Sequence, residues 1–137
     1  MGRRQWQKAP DTFPLASNNP GFPQRGRRHL PQCSNAMIHV IAAIELAEGS
    51  RERFLTELHR IIDIVRDEDG CIEYGPAIDL ATSVSSAPPR DNVVTVVEKW
   101  TNVASLEAHL KAPHMDSYRS MVKDIVRSVN IQVLAPA

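Results

Sequence analysis

The stretch VVEKWTNVASLEAHLKAPH, residues 96–114, contains the transition from a strand to a helical segment on which the fold depends. Its first five residues are the end of the run NVVTVVEKW, 92–100. This run is β-branched on both faces, which is typical of a strand that is covered on both sides. A short helix is predicted from near Asn102, and it must end before Pro113. Pro113 suits the first turn of another helix, which we expect to run to about Arg127. The stretch therefore predicts one strand followed by a helical element in two parts.

The chain upstream of this stretch predicts a strand, a helix and a second strand. MIHVIAAIEL, 37–46, alternates as the first strand. In RERFLTELHRIIDIVRDEDG, 51–70, apolar residues recur at helical spacing, and Gly70 is expected to close the helix. CIEYGPAIDL, 71–80, predicts the second strand, with a bulge or bend at Gly75-Pro76.

The remaining segments complete a recognisable order of elements. ATSVSSAPPRDN, 81–92, is a Ser/Pro-rich loop that is too long for a tight hairpin, and SVNIQVLAPA, 128–137, predicts a last strand. The order β-α-β-β-α-β is that of the ferredoxin-like α+β fold. We therefore expect a four-stranded antiparallel sheet with helices on one face.

Apolar residues on both faces of the first and third strands predict a partner for the bare face of this sheet. Ile41 and Ala43 lie on the second face of the first strand. A second copy of the chain is the simplest cover, because two-fold dimers are the commonest oligomers. We expect a homodimer with the two sheets packed face to face.

Charge divides the chain into two parts. Residues 1–36 hold six Lys/Arg, one acidic residue and five prolines, which predicts a basic, disordered extension. Residues 37–137 hold ten Lys/Arg and fifteen Asp/Glu, so the domain is mildly acidic and a nucleic-acid surface is not expected. No apolar run approaches the length of a membrane span, and Cys33 and Cys71 form no disulfide framework. These features predict a cytoplasmic protein.

Glu98 and Trp100 are the first candidates for a functional site. They are two positions apart on a strand and therefore lie on the same face. A carboxylate beside an indole is a plausible wall of a site, but the ordinary alternative is that Glu98 pairs with a nearby arginine or caps a helix end.

His109 and His114 are the second pair of candidates. His109 lies at the edge of the apolar stripe formed by Val103, Leu106 and Leu110, where it could face a cleft or serve as an ordinary boundary residue. His114 begins the next helix, whose dipole favours the neutral imidazole that can accept a proton. The two histidines are five residues apart with a proline between them, so no helical metal clamp is predicted. Any chemistry must then use histidine, carboxylate and aromatic groups in an apolar pocket.

Three motifs in this order are specific in combination. The strand end Glu98-Lys99-Trp100, the helix LEAHL at 106–110 and the turn PHM at 113–115 resemble the antibiotic-biosynthesis monooxygenase family, most closely its YgiN-type quinol monooxygenases. The likeness covers residues 37–136. It implies a dimeric ferredoxin-like α/β-barrel that oxidises quinols or related dihydroxy-aromatic compounds with molecular oxygen, without metal, flavin or haem.

The resemblance also implies roles for individual residues. Glu98, His109 and His114 would be catalytic, with a histidine removing a proton so that the quinol becomes a better electron donor. Trp100 would hold the aromatic ring, and Tyr74 and Asn130 would orient substrate hydroxyls. The fold alone does not fix the reaction. An isomerase of a small hydroxylated metabolite, a haem-degrading enzyme and a non-catalytic quinone-binding dimer remain alternatives.

Overall fold

The computed structural model describes residues 36–137. The predicted basic extension, 1–36, lies outside these residues apart from Ala36. Within the described chain, the helices are too short or too polar for any of them to span a membrane.

The described chain forms four strands and three helices in the predicted order. The strands are β1 (Ile38–Leu46), β2 (Cys71–Ala77), β3 (Val93–Trp100) and β4 (Val126–Leu134), and the helices are α1 (Arg51–Arg66), α2 (Val103–Leu110) and α3 (Pro113–Val122). All strand pairs are antiparallel, and the sheet order is β2-β3-β1-β4. The prediction of a ferredoxin-like α+β fold is confirmed.

Alternation along β1 and β3 determines where the core lies. Every second residue of β1 is buried from Ile38 onward, and in the register Val40 opposes Glu98 and Ala42 opposes Val96. Opposed residues share a face, so these side chains point together into the layer beneath the helices. The apolar face of α1 closes this layer with Phe54 and Leu58, which are fully buried. Burial of these apolar groups is the main stabilising contribution to the domain.

Several predicted boundaries are wrong by a few residues. α1 ends at Arg66 rather than at Gly70, because Asp67 caps it and a short turn follows. α3 ends at Val122 rather than near Arg127, because buried Ile125 and the start of β4 at Val126 redirect the chain into the sheet.

The predicted irregularity of β2 also lies elsewhere. The pairing of β2 with β3 shifts between Cys71 and Glu73, while Gly75 and Pro76 continue the regular register. β2 is an edge strand, so a proline there breaks no ladder on its outer side.

Candidate functional site

A cavity of about 380 Å³ lies between the sheet and helices α2 and α3. This volume falls within the range of about 300–1,000 Å³ that is usual for small-molecule sites. Strand and helix residues of the core supply a mainly apolar wall, with tyrosines, one carboxylate, one imidazole and two cationic side chains among them. The lining residues are Ala42, Ile44, Phe54, Tyr74, Val96, Glu98, His109, Leu110, Met115, Tyr118, Arg119, Val122, Lys123, Val126, Val129 and Ile131.

Glu98 is a buried carboxylate on the floor of this cavity, with 7% of its surface exposed. Its partner is Trp100, whose Nε1–H donates to Oε2 at 2.8 Å, and not the arginine that the alternative interpretation would require. Burial raises the pKa of Glu98 to about 7, the Trp100 hydrogen bond opposes this rise, and the negative charge of Glu68 adds to it. Glu98 is therefore partly protonated near neutral pH.

Trp100 contacts residues of the site from outside the cavity. Its ring is fully buried and does not line the cavity, so the structure does not place it where it could hold a substrate ring. The indole instead stacks against His109, with ring centroids 4.9 Å apart, while Tyr74 meets the same imidazole edge-on at 5.5 Å. These contacts fix the plane of the imidazole.

His109 is at the centre of the buried face of α2. The prediction that it lies at the edge of a stripe is wrong: α2 buries Leu106 and His109, while Val103 and Leu110 are partly exposed. The cause is the ring packing around the imidazole, which draws this side of the short helix onto the sheet. Burial lowers the pKa of His109, and Glu68 opposes this effect through a hydrogen bond and its charge. His109 is thus favoured in its neutral form.

Glu68, which the sequence prediction missed, connects the two histidines. Its carboxylate contacts His109 Nδ1 at 3.0 and 3.1 Å, and its Oε1 is also hydrogen-bonded to His114 Nε2. An ionised carboxylate can only accept, so each of these nitrogens carries the hydrogen that it donates. The sequence offers no signal for this role, because Glu68 is one of four acidic residues near a helix end and lies 41 and 46 positions from its partners.

The hydrogen bond to Glu68 leaves the other nitrogen of His109 to the cavity. In the part of the chain that the structure describes, no hydrogen bond engages Nε2, and His109 is among the lining residues. With the proton of a neutral imidazole on Nδ1, Nε2 carries a lone pair. The arrangement can accept a proton from a bound molecule, with Glu68 orienting the ring as the carboxylate does in a catalytic triad.

The structure brings most of the predicted site residues together, but not all of them. Tyr74, Glu98 and His109 line one cavity, while His114 is hydrogen-bonded to Glu68 and is not among the lining residues. Asn130 lies elsewhere: it pairs with Ala43, whereas its neighbour Ile131 pairs with Ala42 on the cavity side. Because successive strand residues point to opposite faces, Asn130 faces away from the cavity and cannot orient a substrate within it.

The same cluster also has the composition of a metal site. Ligand atoms of Glu68, His109 and His114 all lie within 4.8 Å of one another. The sequence argument against a metal rested on the spacing of the two histidines and on the carboxylates near them in sequence, whereas Glu68, which completes the group, comes from the turn after α1.

Comparisons with known proteins give the family of the chain. Residues 37–120 match the model of the family described as "Antibiotic biosynthesis monooxygenase". The chain is 37% identical over 102 residues to the "Probable quinol monooxygenase YgiN" of Escherichia coli K12, covering 73% of this chain and 98% of that protein. It is 27% identical over 90 residues to the "Putative monooxygenase YcnE" of Bacillus subtilis, covering 66% and 86% respectively.

A solved structure has the same fold. Rv0793 from Mycobacterium tuberculosis superimposes with a TM-score of 0.62 at 25% identity, covering 74% of this chain and 96% of that one. Fold, family match and sequence identity agree, and the chain therefore belongs to the antibiotic biosynthesis monooxygenase family, as an oxidoreductase of the monooxygenase type.

Proposed function

We propose that the protein is a cofactor-independent monooxygenase that acts on quinols or related dihydroxy-aromatic compounds. The observation that carries this proposal is the Glu68–His109 pair, which presents Nε2 of a buried, neutral imidazole to an apolar cavity. The name of the Escherichia coli relative points to the same substrate class.

Deprotonation is the step that this geometry would promote. A hydroquinone donates an electron to oxygen far more readily as its anion, and His109 would take the hydroxyl proton through Nε2. Glu68 would stabilise the resulting imidazolium, as a carboxylate does in other paired acid-base sites. Tyr74, which lines the cavity and packs edge-on against His109, would bind the second substrate oxygen through its hydroxyl.

The overall reaction balances without an external reductant. A quinol and one O₂ give a hydroxyquinone and one water, and both electrons that reduce the second oxygen atom come from the substrate. The partly protonated carboxyl of Glu98 could return a proton to the reduced oxygen. The apolar wall would keep water from reactive intermediates.

Two cationic side chains favour an anionic form of the bound molecule. Arg119 on α3 and Lys123, which caps the C-terminus of this helix, line the cavity. Their positive charges would stabilise the quinol anion once His109 has taken its proton. Arg119 is held in place by Asp116 and by the carbonyl oxygen of Leu110, which accepts from it at 2.8 Å.

The test is oxygen uptake by chelator-treated protein with a series of reduced naphthoquinones. We expect turnover above the spontaneous rate and a product that contains one oxygen atom from O₂. A rate no higher than the background for every quinol would refute the proposal. Turnover without oxygen would indicate an isomerase instead, and saturable binding without product would indicate a quinone-binding protein.

Two further sequence predictions remain proposals. We propose a homodimer in which the outer face of the sheet is covered by a second copy, because Ile41 and Val97 lie opposite each other there and are only partly buried. A cytoplasmic location remains a prediction from the sequence.

A further inference from the structure

We infer that Glu68, His109 and His114 form a binding site for one divalent transition-metal ion of the Zn²⁺ type, and that its occupancy blocks proton transfer to His109. Binding of the ion stands on the geometry of the cluster alone. The block rests on the proposed function.

The donors come from three separate parts of the fold. Glu68 lies in the turn after α1, His109 in the last turn of α2 and His114 in the first turn of α3. Their ligand atoms are His109 Nδ1, His114 Nε2 and the Glu68 carboxylate oxygens, which lie within 4.8 Å of one another. A metal about 2.0–2.2 Å from each ligand holds ligand atoms roughly 3–3.5 Å apart. The 3.0 Å separation of His109 Nδ1 from Glu68 Oε1 already meets this requirement.

The kind of donor selects the kind of ion. Two imidazole nitrogens and one carboxylate suit Zn²⁺, Co²⁺ and Fe²⁺, whereas Mg²⁺ and Ca²⁺ prefer oxygen donors throughout. Three protein ligands leave at least one coordination position for water.

The charges and the access around the cluster are compatible with a cation. The side chains of Glu68 and His114 are 15% and 23% exposed, so an ion could reach them from solvent without crossing the substrate cavity. Asp67 and Asp69 flank Glu68 in sequence and add negative charge. Arg119 is the opposing cation, and Asp116 offsets part of its charge at 3.2 Å.

Metal binding would change the tautomer of His109. Nδ1 now donates its hydrogen to Glu68, but a metal requires the lone pair of that nitrogen. A neutral imidazole has one ring hydrogen, which must then lie on Nε2, the nitrogen left to the cavity. With Nε2 protonated, His109 can no longer accept a proton from a quinol. Metal binding at Nδ1 and proton transfer from a quinol to Nε2 therefore exclude each other at His109.

Direct binding measurements test the site. The full chain, stripped with chelator, is titrated with Zn²⁺ by calorimetry and with Co²⁺ by its visible absorption. We expect one equivalent per chain, and an affinity at least about tenfold weaker in Glu68→Gln and His114→Ala, since each loses a ligand. His59→Ala is the matched control, because His59 is exposed on α1 and should leave binding unchanged. A second control, His29→Ala with Cys33→Ser, removes possible ligands of the N-terminal segment.

Absence of binding at about 100 µM free Zn²⁺, or binding that neither ligand variant weakens, would overturn the site and leave a purely hydrogen-bonded cluster. The block is tested by oxygen uptake: one equivalent of Zn²⁺ should abolish quinol turnover, and chelator should restore it. Unchanged turnover in protein shown to be metal-loaded would overturn the block. If Zn²⁺ binds through these ligands but no quinol is oxidised even without metal, the site stands and the proposed function fails.

Discussion

Glu68 gives the two histidines different roles. Its carboxylate accepts a hydrogen bond from Nδ1 of His109, which leaves Nε2 of that ring to the cavity. From His114 it accepts a hydrogen bond through Nε2. His114 therefore acts on Glu68 and does not line the cavity itself. Under the proposed function, His109 rather than His114 would therefore be the base.

The first prediction separates these roles by substitution. His109→Ala should lower kcat for quinol oxidation at least about a hundredfold, as loss of a general base does, while His114→Ala should cost less than about tenfold. Oxygen uptake under saturating quinol measures both, with His59→Ala as the exposed control. The assignment is wrong if His114→Ala is the more damaging variant, or if both variants keep full turnover.

The second prediction concerns Glu98 and pH. Because burial raises its pKa in the folded protein to about 7 from an ordinary 4.5, its contribution to stability is present below pH 4.5 and is lost as pH rises towards 7. Glu98→Gln keeps an acceptor for Trp100 but cannot ionise. It should match the wild type near pH 4 and exceed it by about 1–3 kcal/mol at pH 8.

Denaturant unfolding at the two pH values measures this difference. Glu107→Gln, which replaces an exposed carboxylate on α2, is measured in parallel as the control. An equal effect of Glu98→Gln at pH 4 and pH 8 would show that Glu98 does not titrate as its burial requires.

At the scale of elements, the turn between α1 and β2 sets the position of the site. Gly70 has φ 83°, and its carbonyl oxygen accepts from the Thr101 N–H at 2.9 Å. A Cβ at this position would lie 2.1 Å from Ser105 Oγ, so only glycine allows the turn to approach the start of α2 this closely. This approach brings Glu68 within reach of His109.

The third prediction uses two glycines with similar backbones. Gly49 has φ 72°, but a Cβ there would meet nothing within 4 Å. Gly49→Ala should therefore cost only backbone strain, about 1 kcal/mol, whereas Gly70→Ala adds a clash and should cost more than about 2 kcal/mol. Gly70→Ala should also lower kcat by displacing Glu68. Unfolding and turnover are measured for both variants, and equal losses would contradict this account of the turn.

At the scale of the whole molecule, the face of the sheet turned away from the helices exposes apolar side chains. Ile41 and Val97 oppose each other on the two central strands, and Val97 is 42% exposed. Apolar side chains at the centre of a sheet face favour a cover, which the proposed homodimer would supply.

The fourth prediction tests that assembly. Light scattering at micromolar concentration should give twice the mass of one chain for the wild type. The Val97→Asp variant should give the mass of a single chain. Val103→Asp is the matched control, since Val103 on α2 is 43% exposed but lies outside this face. A single-chain mass for the wild type would contradict the homodimer.

Much of the fold follows from local patterns in the chain. Alternation in MIHVIAAIEL and the spacing of Phe54 and Leu58 need no distant partner, because a strand repeats every two residues and a helix every 3.6. The predicted ends of α1 and α3 are wrong because helix ends depend on packing against the rest of the fold.

The sequence by itself determined the order of elements, the break between α2 and α3 before Pro113, and the placement of Glu98 and Trp100 on the same face of a strand. Only the tertiary structure decided that Glu68 is hydrogen-bonded to both His109 and His114. It also decided that Trp100 does not line the cavity and that Asn130 faces away from it. The reason is physical. Periodicity fixes which face a side chain occupies, but pairing across 41 residues depends on register and on the close approach at Gly70, which no local pattern records.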